Sequence, residues 1–101
     1  MENGNRPPLR AGAHVRFVDE RGRGRPALVT AVWREPGRED DQFAAVNLVI
    51  VSPDERRIDP YGRAIERRTC VVHHSRAAVP TGFWSYEEES IREIFATPLT
   101  H

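Results

Sequence analysis

Arginine and aromatic side chains are the groups in this sequence whose chemistry points most directly to ligand binding. All 15 basic residues of the Lys and Arg type are arginine. A guanidinium group presents a planar fork of donors that fits phosphate and carboxylate, and aromatic rings stack on nucleotide bases. The sequence predicts that a small anionic ligand is bound at strand ends and adjoining loops by Arg25, Trp33, Tyr61, Arg63, Arg68, His73, Arg76 and Trp84. A GC-rich genome would also produce the arginine bias.

The segment 21–25, Arg-Gly-Arg-Gly-Arg, places three guanidinium groups on a turn-prone connection. It is either a solvated hairpin loop or a loop that contacts an anion. Binding of nucleic acid by an SH3-like module would rest on Arg21, Arg23 and Arg25. The formal net charge of the chain is zero, which argues against a strong, sequence-independent grip on a phosphate backbone.

The pair His73-His74 is the only motif that suggests a metal ion. The pattern places both histidines in a strand, where successive side chains point to opposite faces of the sheet. Two ligands on opposite faces cannot hold one ion. The sequence therefore predicts no metal site and no cofactor.

Catalytic motifs are missing from the sequence. It has no Gly-x-Ser-x-Gly elbow, and its glycine-rich segment leads into a predicted strand instead of a helix that could bind phosphate. Cys70 is the single cysteine and is interpreted as a small buried hydrophobic residue. We expect a protein that is not an enzyme.

The hydrophobic pattern alternates with a period of two over much of the chain, which is typical of β-strands. Residues 1–12, rich in Pro and Gly, are predicted to form a flexible arm. Residues 52–65 are an irregular, charged excursion. Strands are predicted at 14–18, 26–33, 43–51, 66–74 and 81–85, with Asn47 as a polar residue whose amide must find hydrogen-bond partners if it is buried.

The period changes at the C-terminal end of the sequence. Ser85 and Glu88 have the spacing of a capping box, and apolar residues then recur at helical spacing. These features predict a helix over 86–96, followed by a tail at 97–101. Its apolar stripe, which we expect to contact protein, consists of Ile91, Ile94 and Phe95.

With 101 residues the chain has room for one domain, which we place at 13–96. The fold class is mainly β, either a small five-stranded SH3-like barrel or a strongly bent antiparallel sheet, with the C-terminal helix added; a split sandwich is the alternative. No apolar run is long enough for a membrane span, and no signal peptide is evident. The lone cysteine fits a reducing compartment, so we expect a cytoplasmic protein.

Parts of the sequence resemble small proteins encoded by tailed phages of high-GC bacteria. The resemblance is carried by residues 25–33 (Arg-Pro-Ala-Leu-Val-Thr-Ala-Val-Trp), by 46–51 (Val-Asn-Leu-Val-Ile-Val), by 69–74 and by Gly82-Phe83-Trp84. It implies a phage accessory protein, which would be a virion component or a protein that counters host defence. Some counter-defence proteins are oligomers that sequester a nucleotide signal without cleaving it.

These observations support three functional hypotheses. The first is a homo-oligomeric binding protein that captures a small anionic molecule such as a nucleotide. The second is a virion structural or adaptor protein that acts through protein contacts, and the third is an SH3-like module that binds nucleic acid. None of them requires a cofactor or a membrane.

Overall fold

The computed structural model describes residues 8–79 and 81–89. Its main feature is an antiparallel sheet of five strands, so the predicted mainly β architecture is confirmed. In chain order the strands are β1 (His14–Val18), β2 (Gly24–Trp33), β3 (Ala45–Val51), β4 (Ile58–Asp59), β5 (Gly62–Arg63), β6 (Ile65–Val71) and β7 (Phe83–Ser85), and a 3-10 turn covers His74–Arg76. The five-stranded sheet has the order β6-β3-β2-β1-β7, while β4 and β5 form a separate hairpin.

The five-stranded sheet curls strongly, so that its two edge strands approach each other. Beyond the end of β6, the Trp84 N–H in β7 donates to the Val72 carbonyl at 2.9 Å, and His73 forms a bridge with Trp84. The register shifts between Val29 and Ala31 in the β2–β3 pairing, and again in the β3–β6 pairing. Such irregularities bend and twist a strand, which accounts for the curl.

The core lies inside the curl and follows the alternation of the strands. Val46, Leu48 and Ile50 of β3 are buried, and the residues between them are more exposed. Among the described residues, Trp84 from β7 and Phe17 from β1 are the largest fully buried side chains, and the indole N–H of Trp84 donates to the Ala44 carbonyl at 3.1 Å. The core therefore contains side chains from strands near both edges of the sheet.

Residues 8–12, which the sequence assigned to the flexible arm, are docked against this sheet. Leu9 is 2% exposed and belongs to the core, and its N–H donates to the Gln42 side chain at 2.8 Å. The Gly12 N–H donates to the Val29 carbonyl, also at 2.8 Å. The described part of the arm thus continues the pairing of β1 with β2.

The predicted C-terminal helix is not present in the ranges that the structure describes. Residues 86–89 form a turn in which the Glu89 N–H donates to the Tyr86 carbonyl at 3.0 Å. Ser85 does not cap a helix because it pairs with Arg16 inside the sheet, where its buried hydroxyl has no partner among the described residues. The predicted contact residues Ile91, Ile94 and Phe95 lie outside the described residues.

Two further details differ from the sequence predictions. The excursion at 52–65 contains the β4–β5 hairpin, and the Ser52 N–H donates across its base to the Ala64 carbonyl at 2.8 Å. Cys70 is exposed, in contrast to the predicted burial, because the chain there adopts a left-handed conformation with φ of 54° at the irregular end of β6. Within the described residues, no helix is long and apolar enough to cross a membrane.

Candidate functional site

The loop between β1 and β2 and the loop after β3 enclose a surface cleft of about 610 Å³, which we call the arginine cleft. The first loop carries the Arg-Gly-Arg-Gly-Arg segment of the sequence. The lining residues are Asp19, Glu20, Arg21, Arg23, Arg25, Pro53, Asp54, Glu55 and Arg56. Arg25 is the only member of the predicted binding set that lines it.

Asp19 organises the loop that carries these arginines. Its buried carboxylate accepts hydrogen bonds from the backbone N–H groups of Arg21 and Arg23, both at 2.9 Å, and from Arg25 Nε at 2.8 Å. Burial acts to raise the pKa of Asp19, but these three donors outweigh it and hold the pKa below its ordinary value of 3.8. The carboxylate thus stays charged and closes the loop in one conformation.

Arg21 and Arg23 themselves are exposed. Neither forms an ion pair with a carboxylate in the part of the chain that the structure describes. Arg56, whose side chain is 91% exposed, faces the same cleft from the second loop and contacts Asp54 at 3.3 Å. Asp19 and Arg56 were not singled out from the sequence; an aspartate followed by a Gly-rich turn is the signal that identifies Asp19.

Three other predicted arginines are engaged within the protein. Arg76 forms a bidentate pair with the Asp41 carboxylate at 2.8 and 3.2 Å, and this contact lowers the pKa of Asp41. Arg68 contacts Glu66 at 3.1 Å and lies over the ring of Phe17. The third, Arg63, donates to the Ser52 carbonyl at 2.6 Å. These contacts connect loops and strands of the protein itself.

The predicted aromatic contacts fall into two groups. Tyr61 is 98% exposed at the tip of the β4–β5 hairpin, and Trp33 is 54% exposed at the end of β2, where its indole N–H donates to Asn47 at 2.8 Å. Trp84 and His73 are 0% and 2% exposed and belong to the interior. A ligand in solvent has no access to those two side chains in this structure, and no aromatic residue of the described ranges lines the arginine cleft.

A second group of polar residues lies after β6 and consists of His73, His74 and Glu89, which we call the histidine cluster. His73 Nε2 is 2.9 Å from one carboxylate oxygen of Glu89, and His74 Nε2 is 2.6 Å from the other. The prediction that the two histidines face opposite sides of a strand is wrong. Strand β6 ends at Val71, and the 3-10 turn beyond it brings both rings to one side, with centroids 4.1 Å apart.

The core and the neighbouring strands position this cluster. The ring of His73 packs edge-on against Trp84 at 4.7 Å and against Phe43 at 4.9 Å. The turn that carries Glu89 is held from β1, because Arg16 donates to the backbone carbonyls of Glu89 and Glu87. The sequence pattern missed Glu89, since its partners become neighbours only through the curl of the sheet.

Hydrogen bonds define the chemical state of the cluster. The Ser75 N–H donates to His73 Nδ1 at 3.2 Å, so in its neutral form the ring carries its proton on Nε2 and donates it to Glu89. Burial acts to raise the pKa of Glu89, but the hydrogen bonds from both histidines and from the Tyr86 N–H hold it below the ordinary value of 4.5. The Ser75 hydroxyl lies 2.9 Å from His73 Nδ1.

Comparisons with protein-family models, with curated proteins and with solved structures find no match to this chain.

Proposed function

We propose that this chain is a non-enzymatic binding protein that captures a small anionic ligand, with a phosphorylated nucleotide as the favoured class, in the arginine cleft. The observation that carries the proposal is the pair of exposed guanidinium groups on Arg21 and Arg23. They face a cleft of about 610 Å³ and have no carboxylate partner among the residues described. A cleft of this size holds a molecule as large as a nucleotide.

Preorganisation of the loop supports this reading. Because Asp19 fixes the backbone of Arg21 and Arg23, part of the entropic cost of ordering the loop is met before a ligand arrives. The guanidinium groups are therefore presented from a fixed base. Their planar donors suit the paired oxygens of a phosphate group.

The charge balance of the cleft favours a small anion over a nucleic-acid strand. Arg21, Arg23, Arg25 and Arg56 line it together with Asp19, Glu20, Asp54 and Glu55, so positive and negative groups are equal in number. A long polyanion would meet the carboxylates as well as the arginines, and affinity for nucleic acid depends on net phosphate neutralisation. A small anion can contact the arginine forks alone.

The fold and the resemblance to phage-encoded proteins support the finer parts of the proposal. We assign the sheet to the SH3-like class, because its order β6-β3-β2-β1-β7 is a meander closed by the last strand on the first, with a 3-10 turn between β6 and β7. If the chain is a phage protein that binds a nucleotide without cleaving it, its role would be to sequester a nucleotide immune signal of the host. The sequence carries no motif for turnover of such a signal.

Isothermal titration calorimetry with a panel of cyclic and ADP-ribose-type nucleotides tests the proposal. We expect micromolar binding of at least one nucleotide, and an affinity at least tenfold lower for the double variant Arg21→Gln/Arg23→Gln. Arg38→Gln is the matched control, since Arg38 is an exposed arginine outside the cleft. Absence of binding across the panel, or an equal loss in the control, would refute the proposal.

A role in protein contacts is the second candidate, favoured by exposed apolar residues on the outer face of the sheet. Val51 and Ile65, which pair across β3 and β6, are 52% and 59% exposed, and Leu28 on β2 is 39% exposed. Such a row can pair copies of the chain or bind another protein. Native mass spectrometry of wild type and Val51→Glu tests this role: a homo-oligomer that the variant dissociates supports it, and a monomer in both removes its oligomeric form.

A further inference from the structure

We propose that the histidine cluster is a binding site for one divalent transition-metal ion of the Zn²⁺ class. One ring nitrogen of His73, one of His74 and a carboxylate oxygen of Glu89 all lie within 4.8 Å of one another. Two imidazoles and a carboxylate are ligands that zinc accepts in proteins. The proposal is independent of the anion-binding function, because the cluster and the arginine cleft share no residue.

The ligand atoms lie near the separations that a zinc ion requires. Zinc binds nitrogen and oxygen at roughly 2.0–2.2 Å, so its tetrahedral ligands stand about 3.3 Å apart. The two nitrogen-to-oxygen distances are 2.9 Å for His73 and 2.6 Å for His74. These two distances have to open by less than an ångström, and the widest separation in the group, within 4.8 Å, has to close by up to about 1.5 Å.

The protons that now lie between the histidines and Glu89 are what the ion would replace. Each ring binds the ion as a neutral imidazole through an unprotonated Nε2, so the single ring proton of His73 moves from Nε2 to Nδ1. On Nδ1 this proton is donated to the Ser75 hydroxyl at 2.9 Å, and the contact replaces the hydrogen bond by which the Ser75 N–H donates to Nδ1 at 3.2 Å. A hydrogen bond of this kind to the second ring nitrogen orients a metal-bound histidine.

Burial distinguishes this cluster from a chance group of surface residues. His73 is 2% exposed and its ring is fixed by Trp84 and Phe43, so one ligand is held rigidly by the core. The side chains of His74 and Glu89 are 24% and 22% exposed, which leaves a route from solvent to the ion. Three protein ligands on a tetrahedral ion leave its fourth position for water or an external anion.

Calorimetric titration of Zn²⁺ into metal-free protein without an affinity tag tests this site. We expect one ion per chain in wild type and in His14→Ala, a control that removes an exposed histidine outside the cluster. His74→Ala and Glu89→Gln should each bind at least tenfold more weakly. No saturable binding in wild type, or equal affinity in all four proteins, overturns the proposal.

A second measurement keeps the test decisive if a variant fails to fold, which circular dichroism would reveal. Nitrogen NMR of the histidine rings in wild type, titrated with Zn²⁺, should shift the Nε2 resonances of His73 and His74 and leave His14 unchanged. A shift confined to His14, or no shift in any ring, contradicts the proposal. Nucleotide affinity, measured by calorimetry with and without zinc, should be the same. Failure of the zinc site can therefore be distinguished from failure of anion binding in the arginine cleft.

Discussion

The arginine cleft and the histidine cluster both gather charged groups beside strand ends, but the protein holds the two groups in different ways. In the cleft, one carboxylate, Asp19, binds the loop backbone and leaves Arg21 and Arg23 exposed. In the cluster, the polar groups bind one another and His73 packs on the core. The first arrangement leaves exposed arginine side chains available to a ligand. In the second, the polar side chains also contribute to the stability of the fold.

The largest expected effect comes from removing the support of the histidine cluster. Trp84→Ala should lower the free energy of unfolding by about 3–5 kcal/mol, because it leaves a cavity in the core and removes the hydrogen bond to Ala44. Urea denaturation measures the change. The control is Trp33→Ala, which removes a 54% exposed tryptophan and should lose about 1 kcal/mol or less.

Equal losses in the two tryptophan variants would contradict this assignment of Trp84 to the core. Trp84→Phe provides a milder change if the alanine variant does not fold. Trp84→Phe keeps most of the apolar contact, so its loss in free energy of unfolding should be less than half of the loss in Trp84→Ala.

An intermediate effect is expected where Asp19 holds the loop of the arginine cleft. Asp19→Asn should lower the free energy of unfolding at pH 7 by about 1–3 kcal/mol, because it removes a charged acceptor from three donors. The control is Asp40→Asn, an exposed aspartate outside the cleft. Chemical denaturation of both variants and wild type checks the difference.

The pH dependence of that difference has a defined sign. The folded-state pKa of Asp19 lies below 3.8, so its contribution is fully present above that pH and is lost as the pH falls through the folded-state value. The stability curves of wild type and Asp19→Asn should therefore converge in acid. A gap that stays constant from pH 7 to pH 3 would show that the charge of Asp19 does not stabilise the loop.

The smallest effect on stability is expected for the exposed arginines. Arg21→Gln/Arg23→Gln should change the free energy of unfolding by less than about 0.5 kcal/mol, because neither guanidinium group has an ion-pair partner among the described residues. Thermal unfolding measured beside wild type checks this. A larger loss would mean that these side chains stabilise the fold, and the contrast with the histidine cluster would then fail.

The strands were the predictable part of this protein. Alternating residues such as Val15 and Phe17, or Val46 and Leu48, bury one face of a strand wherever that strand lies in the sheet. Asn47 also behaves as expected for a polar residue in a strand, since its side-chain oxygen accepts from Trp33 and from the Cys70 N–H. Local pattern and the need to satisfy polar groups are properties of the sequence itself.

The helix prediction failed at Ser85 because the same residue satisfies two local patterns. The capping-box spacing with Glu88 competes with the apolar segment Phe83-Trp84, and in the structure Ser85 pairs with Arg16 in the sheet. Pairing with a strand nearly 70 residues away cannot be read from a local spacing. Tertiary contacts decided between two plausible local structures.

The sequence by itself determined a small mainly β domain, an arginine-rich loop between its first two strands, and a polar Asn47 with partners. Only the tertiary structure decided which charged groups meet. Arg76 and Asp41, or His74 and Glu89, are far apart in the chain, and the curl of the sheet brings them within hydrogen-bond distance. Alternation specifies which face a residue occupies, whereas the partner of a charge depends on how distant strands close on one another.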